Sequence, residues 1–232
     1  MGLKLYSDEI CPYAQRTRIL LAEKHIDHER IEIDINNKPD WFMRLTPGGR
    51  VPLIDHDGFV LWESATINEY LEAQFGGAQL MPQDERRKAV IRNEIRHFDT
   101  SFLVDFYKLL FAQGAEAQDE MRETVCRAFE FLEHRLTQIQ DDGPYWLGRS
   151  VSLADCAMFP FFERLEVFEH YRGLTLPVAC TRLRRWFESL CERSAFAASM
   201  HDLEYFIPVY ATYANDLGQG LSAQAFRSGR VN

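Results

Sequence analysis

The chain has 232 residues, and its 26 lysines and arginines stand against 35 aspartates and glutamates, for a formal net charge of −9. This acidic balance argues against a general nucleic-acid surface and against binding to an anionic membrane. No apolar run approaches the roughly 20 residues of a membrane helix, and the first residues lack the apolar core of a signal peptide. We therefore expect a cytoplasmic protein of two modest domains.

The first third of the chain changes its hydrophobic period repeatedly. Leu3 to Tyr6 is predicted as a short strand and Pro12 to about Lys24 as a helix. Glu29 to Ile35 alternates strictly, which predicts a half-buried strand with its isoleucines on one face. The order so far is strand, helix, strand.

A hairpin and a helix complete this first domain. A short helical stretch, Asp40 to Leu45, precedes two apolar runs, Val51 to Ile54 and Phe59 to Trp62, which flank a His-Asp-Gly turn. A further helix begins at Glu63-Ser64 and runs to about Phe75, where two glycines stop it. The βαβ-ββα order over residues 1–77 is typical of a thioredoxin-like domain.

Residues 78–84 are predicted as a linker, and residues 85–232 as an all-helical domain. Its first two long segments carry apolar side chains at three-to-four spacing. These predicted core positions are Ile91, Ile95, Phe98, Phe102, Phe106 and Leu109, then Val125, Phe129, Leu132 and Leu136. The fold class is thus α/β plus all-α.

A later helix of this second domain has a recognisable start. Ser152 and Asp155 form a predicted capping box, in which each side chain satisfies a backbone N–H at the helix start. The helix should continue to about Tyr171 with a kink at Pro160, which removes one backbone hydrogen bond. The Gly- and Ser-containing tail after Asp216 is expected to be loosely ordered.

The cysteines give the strongest chemical signal. They are odd in number, far apart and without a C-x-x-C pair, so neither a disulfide framework nor a zinc site is indicated; they are Cys11, Cys126, Cys156, Cys180 and Cys191. The seven histidines form no ligand set, and no metal is predicted.

Cys11 stands where a strand-to-loop segment enters a helix, and Pro12 suits the first helical position. Free backbone N–H groups and the helix dipole favour a thiolate there, and Arg16 and Arg18 one turn on add positive potential. We therefore expect a depressed pKa; an inert buried thiol is the alternative. Ala14 occupies the place of a resolving cysteine, so an external thiol must release any mixed disulfide.

The segment Cys-Pro-Tyr-Ala-Gln-Arg-Thr-Arg at residues 11–18 resembles the active-site signature of omega-class and related cysteine-type glutathione transferases. Further segments match this class in order and spacing up to about residue 170. They are residues 37–42, 49–54, 62–67, 152–155 and 162–166. The chain is thus similar to a superfamily of transferases that includes bacterial glutathione-dependent lyases.

The resemblance implies that Cys11 is catalytic and that glutathione is the co-substrate. Val51-Pro52 would be a cis peptide that pairs through its main chain with the cysteinyl part of glutathione. Glu63 would face the γ-glutamyl ammonium, Ser64 and its helix N-terminus would receive the neighbouring carboxylate, and Lys38 would meet the glycyl carboxylate. A solvated loop charge, a strand edge and an ordinary helix start are the alternatives for these positions.

The residues that form the pocket for the second substrate are harder to predict from the sequence. Candidates are Tyr107, Arg164 and Tyr205, the arginine by its match in Phe-Glu-Arg-Leu-Glu and the tyrosines by position and chemistry. Packing is the alternative for both tyrosines. Animal members of the class place a tryptophan where this chain has Leu203, so their substrate range does not transfer.

The predicted function is thiol transfer, in which Cys11 attacks a glutathionylated, small apolar or aromatic substrate and a second glutathione releases the mixed disulfide. Disulfide reduction, dehydroascorbate reduction and thioether lysis share that intermediate. One alternative is ordinary conjugation, with Tyr6 or Ser7 as hydrogen-bond donor. The other is a non-catalytic scaffold, similar to stringent starvation protein A. The resemblance also implies a homodimer.

Overall fold

A computed structural model describes residues 2–139 and 142–217 of the chain. The predicted tail after Asp216 lies outside the described residues, apart from Leu217. Within the part of the chain that the structure describes, no helix combines the length and apolar character needed to cross a membrane.

The N-terminal part contains a mixed four-stranded sheet in the order β2-β1-β3-β4. Strand β1 runs parallel to β2 and antiparallel to β3, and β3 runs antiparallel to β4. The strands are β1 Leu3–Ser7, β2 Glu29–Glu32, β3 Leu53–His56 and β4 Phe59–Trp62; the helices are α1 Pro12–Glu23, α2 Asp40–Met43 and α3 Ser64–Gln74. The predicted thioredoxin-like βαβ-ββα order is confirmed.

Two strand boundaries differ from the prediction for local reasons. Strand β2 ends at Glu32 because its partner strand ends at the paired residue Ser7. The isoleucine face nevertheless forms, since Ile33 is buried and the two flanking isoleucines pack on the same apolar cluster. Strand β3 begins at Leu53, because the cis peptide between Val51 and Pro52 turns the chain and a proline cannot donate to the ladder.

The remainder of the described chain is helical, as predicted. Its elements are α4 Glu85–His97, a π-helical turn Phe98–Phe102, α5 Leu103–Phe111, α6 Ala115–Thr137, α7 Leu153–Glu163, α8 Leu165–Arg172, α9 Thr181–Cys191, α10 Ser194–Ala197 and α11 Leu203–Ala214. Every predicted core position of the first two segments is buried. These side chains share one apolar core with β1, α1 and α3, so the two domains pack tightly against each other.

The helix after the capping box is interrupted, and not merely kinked at Pro160. The predicted box between Ser152 and Asp155 is present, and Trp186 Nε1 also donates to Asp155 Oδ1 at 2.7 Å. The helix ends at Glu163, and Arg164 leaves the helical region with ψ of 2° before α8 begins. Arg164 turns its side chain back, so that its guanidinium donates to the carbonyl of Pro160.

Candidate active site

Cys11 is the residue that caps α1, with extended backbone angles (φ −73°, ψ 117°) and Pro12 directly after it. Its carbonyl accepts the first helical hydrogen bond, from the N–H of Gln15 at 3.0 Å. The half-buried thiol points to the cis-proline loop, where its Sγ lies 3.8 Å from the carbonyl oxygen of Val51. The predicted position at a helix entry is confirmed.

The expectation of a depressed pKa is wrong. Burial raises the pKa of the Cys11 thiol, and the nearby Asp8 carboxylate raises it further. The N–H groups of Ala14 and Tyr13 and the charge of Arg164 act in the opposite direction but do not outweigh the desolvation. Cys11 therefore rests as a thiol at neutral pH.

The two arginines that the sequence suggested as sources of positive potential have different partners. Arg16 is committed to Asp99, with Nη2 2.6 Å from Oδ1. Arg18 donates to the Ser7 hydroxyl at 3.0 Å and to two loop carbonyls. The charges of Arg18 and Cys11 nevertheless act on each other, as the sequence suggested, and Arg164 is a further arginine whose charge lowers the pKa of the thiol.

The predicted glutathione-binding residues surround the loop that faces Cys11. Val51 and Pro52 are buried and joined by the predicted cis peptide. Lys38 is half-buried, and partial burial together with the charge of Arg50 lowers its pKa. A Cβ on Gly49 would lie 3.4 Å from Lys38 Cδ and 2.2 Å from Met43 Sδ, so the glycine leaves room for both side chains.

Glu63 and Ser64 occupy the start of α3. Glu63 is exposed and has a positive φ of 71°, a conformation that non-glycine residues rarely adopt and that is concentrated at functional sites. Ser64 is 6% exposed, and its hydroxyl accepts from Arg16 Nη1 at 3.3 Å. Open N–H groups at this helix end can receive a carboxylate, and the Glu63 carboxylate can receive an ammonium group.

These groups fit the chemistry of glutathione, which carries one ammonium group, two carboxylates and a central peptide. The main chain at the cis-proline loop offers hydrogen bonds to a peptide, Glu63 offers a negative charge, and Lys38 and the α3 N-terminus offer positive charge. Among residues 2–139 and 142–217, no cluster of three or more His, Cys, Asp or Glu side chains could hold a metal ion.

The residues predicted to bind the second substrate differ in burial and in their neighbours. Tyr107 is half-buried, burial raises its pKa strongly, and Tyr210, Arg164 and Cys11 are among the groups that act on it. Tyr205 is 41% exposed and stacks on His201 with ring centroids 4.1 Å apart.

Burial raises the pKa of Tyr205, and the carboxylates of Glu9 and Asp8, in the loop before Cys11, raise it further. Arg164 is only 1% exposed, and four side-chain hydrogen bonds occupy its Nη1 and Nη2 atoms. This burial disfavours direct contact between Arg164 and a second substrate.

Three tyrosines near Cys11 were missed by the sequence reasoning. Tyr13 follows Cys11 by two residues and is 37% exposed. Tyr210 and Tyr213 lie on α11, and the thiolate form of Cys11 acts on the hydroxyls of both. Burial raises the pKa of all three hydroxyls. The three-residue spacing of Tyr210 and Tyr213 was a readable sign of a shared helix face.

A thioredoxin-like domain with a helix-capping cysteine at a cis-proline loop, packed on an all-helical domain, is the architecture of a glutathione transferase. The chain matches the family models "Glutathione S-transferase, N-terminal domain" over residues 10–74 and "Glutathione S-transferase, C-terminal domain" over residues 115–189.

Individual relatives agree with the family models. Glutathione S-transferase omega-1 of Sus scrofa is 31% identical over 90% of this chain and 86% of its own length. Omega-2 of Rattus norvegicus is 32% identical over 88% of this chain and 81% of its own. The crystal structure of glutathione transferase Omega 3C from Trametes versicolor superimposes with a TM-score of 0.81 and 27% identity, covering 93% of this chain and 91% of that one.

The chain belongs to the glutathione S-transferase family, and the predictions of a glutathione transferase with an omega-class-like sequence are confirmed.

Proposed function

We propose that the protein is a glutathione-dependent thiol transferase in which Cys11 forms a mixed disulfide with glutathione. The observation that carries this proposal is the 3.8 Å approach of Cys11 Sγ to the carbonyl oxygen of Val51. A tripeptide that pairs with the main chain of Val51 has its central residue opposite this point. The sulfur of that residue then lies within bonding reach of Cys11.

Glutathione binding rests on the residues around the same loop. Val51 and Pro52 provide the main-chain contacts, Lys38 pairs with the glycyl carboxylate, and Glu63 with the γ-glutamyl ammonium. Ser64 and the α3 N-terminus receive the γ-glutamyl carboxylate. The approach of Arg16 to the Ser64 hydroxyl at 3.3 Å adds positive charge at that end.

In the first step the Cys11 thiolate attacks the glutathionyl sulfur of a substrate R–S–SG. A Cys11–glutathione disulfide forms, and the leaving thiolate RS⁻ takes up a proton. A thioether R–SG reacts at the same sulfur, and the displaced carbanion takes up a proton to give RH. In the second step a glutathione thiolate attacks the glutathionyl sulfur of the mixed disulfide, which yields glutathione disulfide and restores Cys11.

The second substrate is a small apolar or aromatic group carried on glutathione. The rings of Tyr107 and Phe161 are perpendicular, with centroids 6.4 Å apart, and the ring of Tyr13 lies 5.3 Å from the same phenylalanine ring. Tyr210 and Tyr213 share the surroundings of Cys11. Such rings favour an aromatic thioether or disulfide, which makes thioether lysis one of the proposed activities.

Ordinary conjugation requires a hydroxyl donor in place of a nucleophile, and the two predicted donors are poorly available. Ser7 is fully buried and its hydroxyl already accepts from Arg18 Nη1 at 3.0 Å. Tyr6 is 8% exposed and its ring packs between Trp41 and Phe42, with centroids 5.9 Å from each. These contacts favour Cys11 as the reacting group.

Further parts of the proposal concern organisation. Residues 1–77 form the glutathione-binding domain, residues 78–84 the linker and residues 85–232 the domain that takes the second substrate. The protein acts in the cytoplasm as a homodimer. Size-exclusion chromatography with light scattering tests the dimer, for which a monomeric mass is the contradicting result.

The decisive experiment is intact mass spectrometry after treatment with glutathione disulfide. The wild-type chain should gain a glutathionyl group that Cys11→Ala lacks, and Cys126→Ala is the matched control because Cys126 is also half-buried. Activity of wild type and variants is then compared on a disulfide, dehydroascorbate, a phenacyl-glutathione thioether and chlorodinitrobenzene. Full activity of Cys11→Ala would overturn the mechanism, and no retention on immobilised glutathione would favour the scaffold alternative.

A further inference from the structure

The loop before Cys11 is held by guanidinium groups from both domains. Its three successive carbonyl oxygens all accept hydrogen bonds from arginine. Arg18 donates to the carbonyls of Asp8 and Glu9 at 2.9 and 2.8 Å. Arg164, from the helical domain, donates through Nη2 to the carbonyl of Ile10 at 2.9 Å. The peptide that leads into Cys11 is therefore fixed by a residue more than 150 positions away in sequence.

The N–H side of Ile10 is also fixed, since the Asp8 carboxylate accepts from it at 2.9 Å. Both main-chain groups of the residue before the nucleophile thus have charged partners. Hydrogen bonds to charged groups are stronger and more directional than neutral ones. The direction in which the following residue leaves the loop is set by these two contacts.

Arg164 itself has little freedom to move. Its Nη1 donates to Gln15 Oε1 at 2.8 Å and to Glu163 Oε2 at 3.2 Å, and its guanidinium lies 4.6 Å from the centre of the Phe206 ring. Gln15 belongs to α1 and in turn donates to Glu163 Oε2 at 2.6 Å. The helical domain and α1 together hold the guanidinium against Ile10.

We propose that Arg164 is a positioning residue for Cys11: it holds the Ile10 carbonyl and so presents the thiol to the cis-proline loop. This inference rests on the proposed function of Cys11 and changes the role of Arg164 from contact with a second substrate to support of the nucleophile. It also explains why an arginine of the helical domain is fully buried at the interface between the domains.

The charge of Arg164 supports the same role. Burial and Asp8 both raise the pKa of Cys11, and Arg164 is a cation that opposes them. The adjacent Glu163 carboxylate offsets part of this effect. His201 is linked to the same network, because its main-chain N–H donates to Glu163 Oε1 at 2.8 Å. Removing the guanidinium leaves the thiol with a higher pKa and a looser loop.

The test measures the alkylation rate of Cys11 by iodoacetamide from pH 6 to 10, followed by mass spectrometry of the peptide that contains Cys11. Arg164→Met should raise the midpoint of the plot of alkylation rate against pH by about half a pH unit, which slows alkylation at pH 7 about three-fold. Arg164→Lys retains the positive charge but loses the planar guanidinium with its several N–H donors. The midpoint of its alkylation profile should therefore stay near wild type, while kcat for thiol transfer falls about ten-fold.

Arg193→Lys is the matched control. Arg193 also joins the helical domain to α1, through Glu23 at 3.0 and 2.7 Å, but at the opposite end of that helix. The kcat and the alkylation midpoint of Arg193→Lys should match wild type. A purely structural Arg164 would instead give variants that lose melting temperature but keep both kcat and midpoint, which would overturn the proposal.

A milder variant covers the case in which Arg164 variants do not fold. Gln15→Met removes the Oε1 acceptor that orients Arg164 and should lower kcat about three-fold at unchanged alkylation midpoint; unchanged kcat would count against the role. Alkylation requires no turnover, so the alkylation midpoints are independent of whether Cys11 is the catalytic nucleophile, whereas the kcat comparisons rest on that role. That question is decided by the activity of Cys11→Ala.

Discussion

Arg16 and Asp99 form a two-pronged ion pair across the domain interface, with Nη2 2.6 Å from Oδ1 and Nη1 3.2 Å from Oδ2. Arg16 belongs to the helix that begins after Cys11, and Asp99 lies in the π-helical turn. The same guanidinium donates to the Ser64 hydroxyl at 3.3 Å and to the carbonyl of Ala157 at 2.7 Å. One arginine thus connects the nucleophile helix, the proposed γ-glutamyl pocket and the helical domain.

Asp99→Asn should weaken both the fold and glutathione binding. The substitution leaves the buried Arg16 charge without its partner, which costs about 1 to 3 kcal/mol in the free energy of unfolding, less than a fully buried pair because Asp99 retains 28% exposure. Arg16 also loses the partner that holds it beside the Ser64 hydroxyl, so KM for glutathione should rise about three- to ten-fold. Urea unfolding and steady-state kinetics measure the two effects.

Asp105→Asn is the control for that experiment. Asp105 has a similar exposure of 30% and pairs with Lys108 at 3.2 Å on the surface of one helix. Such exposed pairs contribute about 0 to 1 kcal/mol, so stability and KM should stay close to wild type. Equal losses for Asp99→Asn and Asp105→Asn would show that the Arg16 contact has no special role.

The reactivity of Cys11 should rise steadily with pH in the free protein. Because burial raises the pKa of the thiol, the reactive thiolate is the minor form below the ordinary cysteine pKa. Each added pH unit between 7 and 8.5 should therefore increase the alkylation rate about ten-fold. A rate that is already constant between pH 6 and 8 would mean that the helix N-terminus outweighs the desolvation after all.

The sequence predicted the elements and the position of Cys11 at a helix start well because both depend on local patterns. The alternation around Ile33 and the cap at Cys11 are readable from neighbouring residues, and the periodic core positions of the helical domain follow from spacing alone. The pKa of Cys11 could not be read this way. Besides Asp8 in the preceding loop, it depends on desolvation and on Arg164, which act on the thiol only when the two domains pack.

The helix break and the tyrosines near Cys11 were missed for a related reason. Pro160 signals a disturbance, but the place where α7 ends depends on the side chain of Arg164 turning back to the Pro160 carbonyl. Likewise, Tyr205 and Tyr213 look equivalent as aromatic residues of one helix. Only the docking of α11 decides that Tyr213 shares its surroundings with Cys11 while Tyr205 stacks on His201.

Lys38→Ala should reduce glutathione affinity while leaving the fold intact. Lys38 is half-buried at the site, and an ion pair with the glycyl carboxylate in partial contact with water contributes about 1.5 kcal/mol, or roughly ten-fold in KM. Lys38→Arg should recover most of this loss, since it restores the charge. Lys88→Ala is the control, because Lys88 forms a surface pair with Glu85 on α4. An unchanged KM for Lys38→Ala would remove this residue from the proposed site.

Substitutions on α11 should separate the tyrosine that contacts the second substrate from the one that does not. Tyr213 is half-buried, its ring lies 5.7 Å from Phe111, and the charge of Cys11 acts on its hydroxyl. Loss of one aromatic contact costs about 1 kcal/mol, so Tyr213→Leu should raise KM for a phenacyl-glutathione thioether about five-fold at unchanged KM for glutathione. Tyr205→Leu removes an exposed ring on the same helix and should change neither constant more than two-fold. The reverse pattern would restore Tyr205 as the substrate contact and exclude Tyr213.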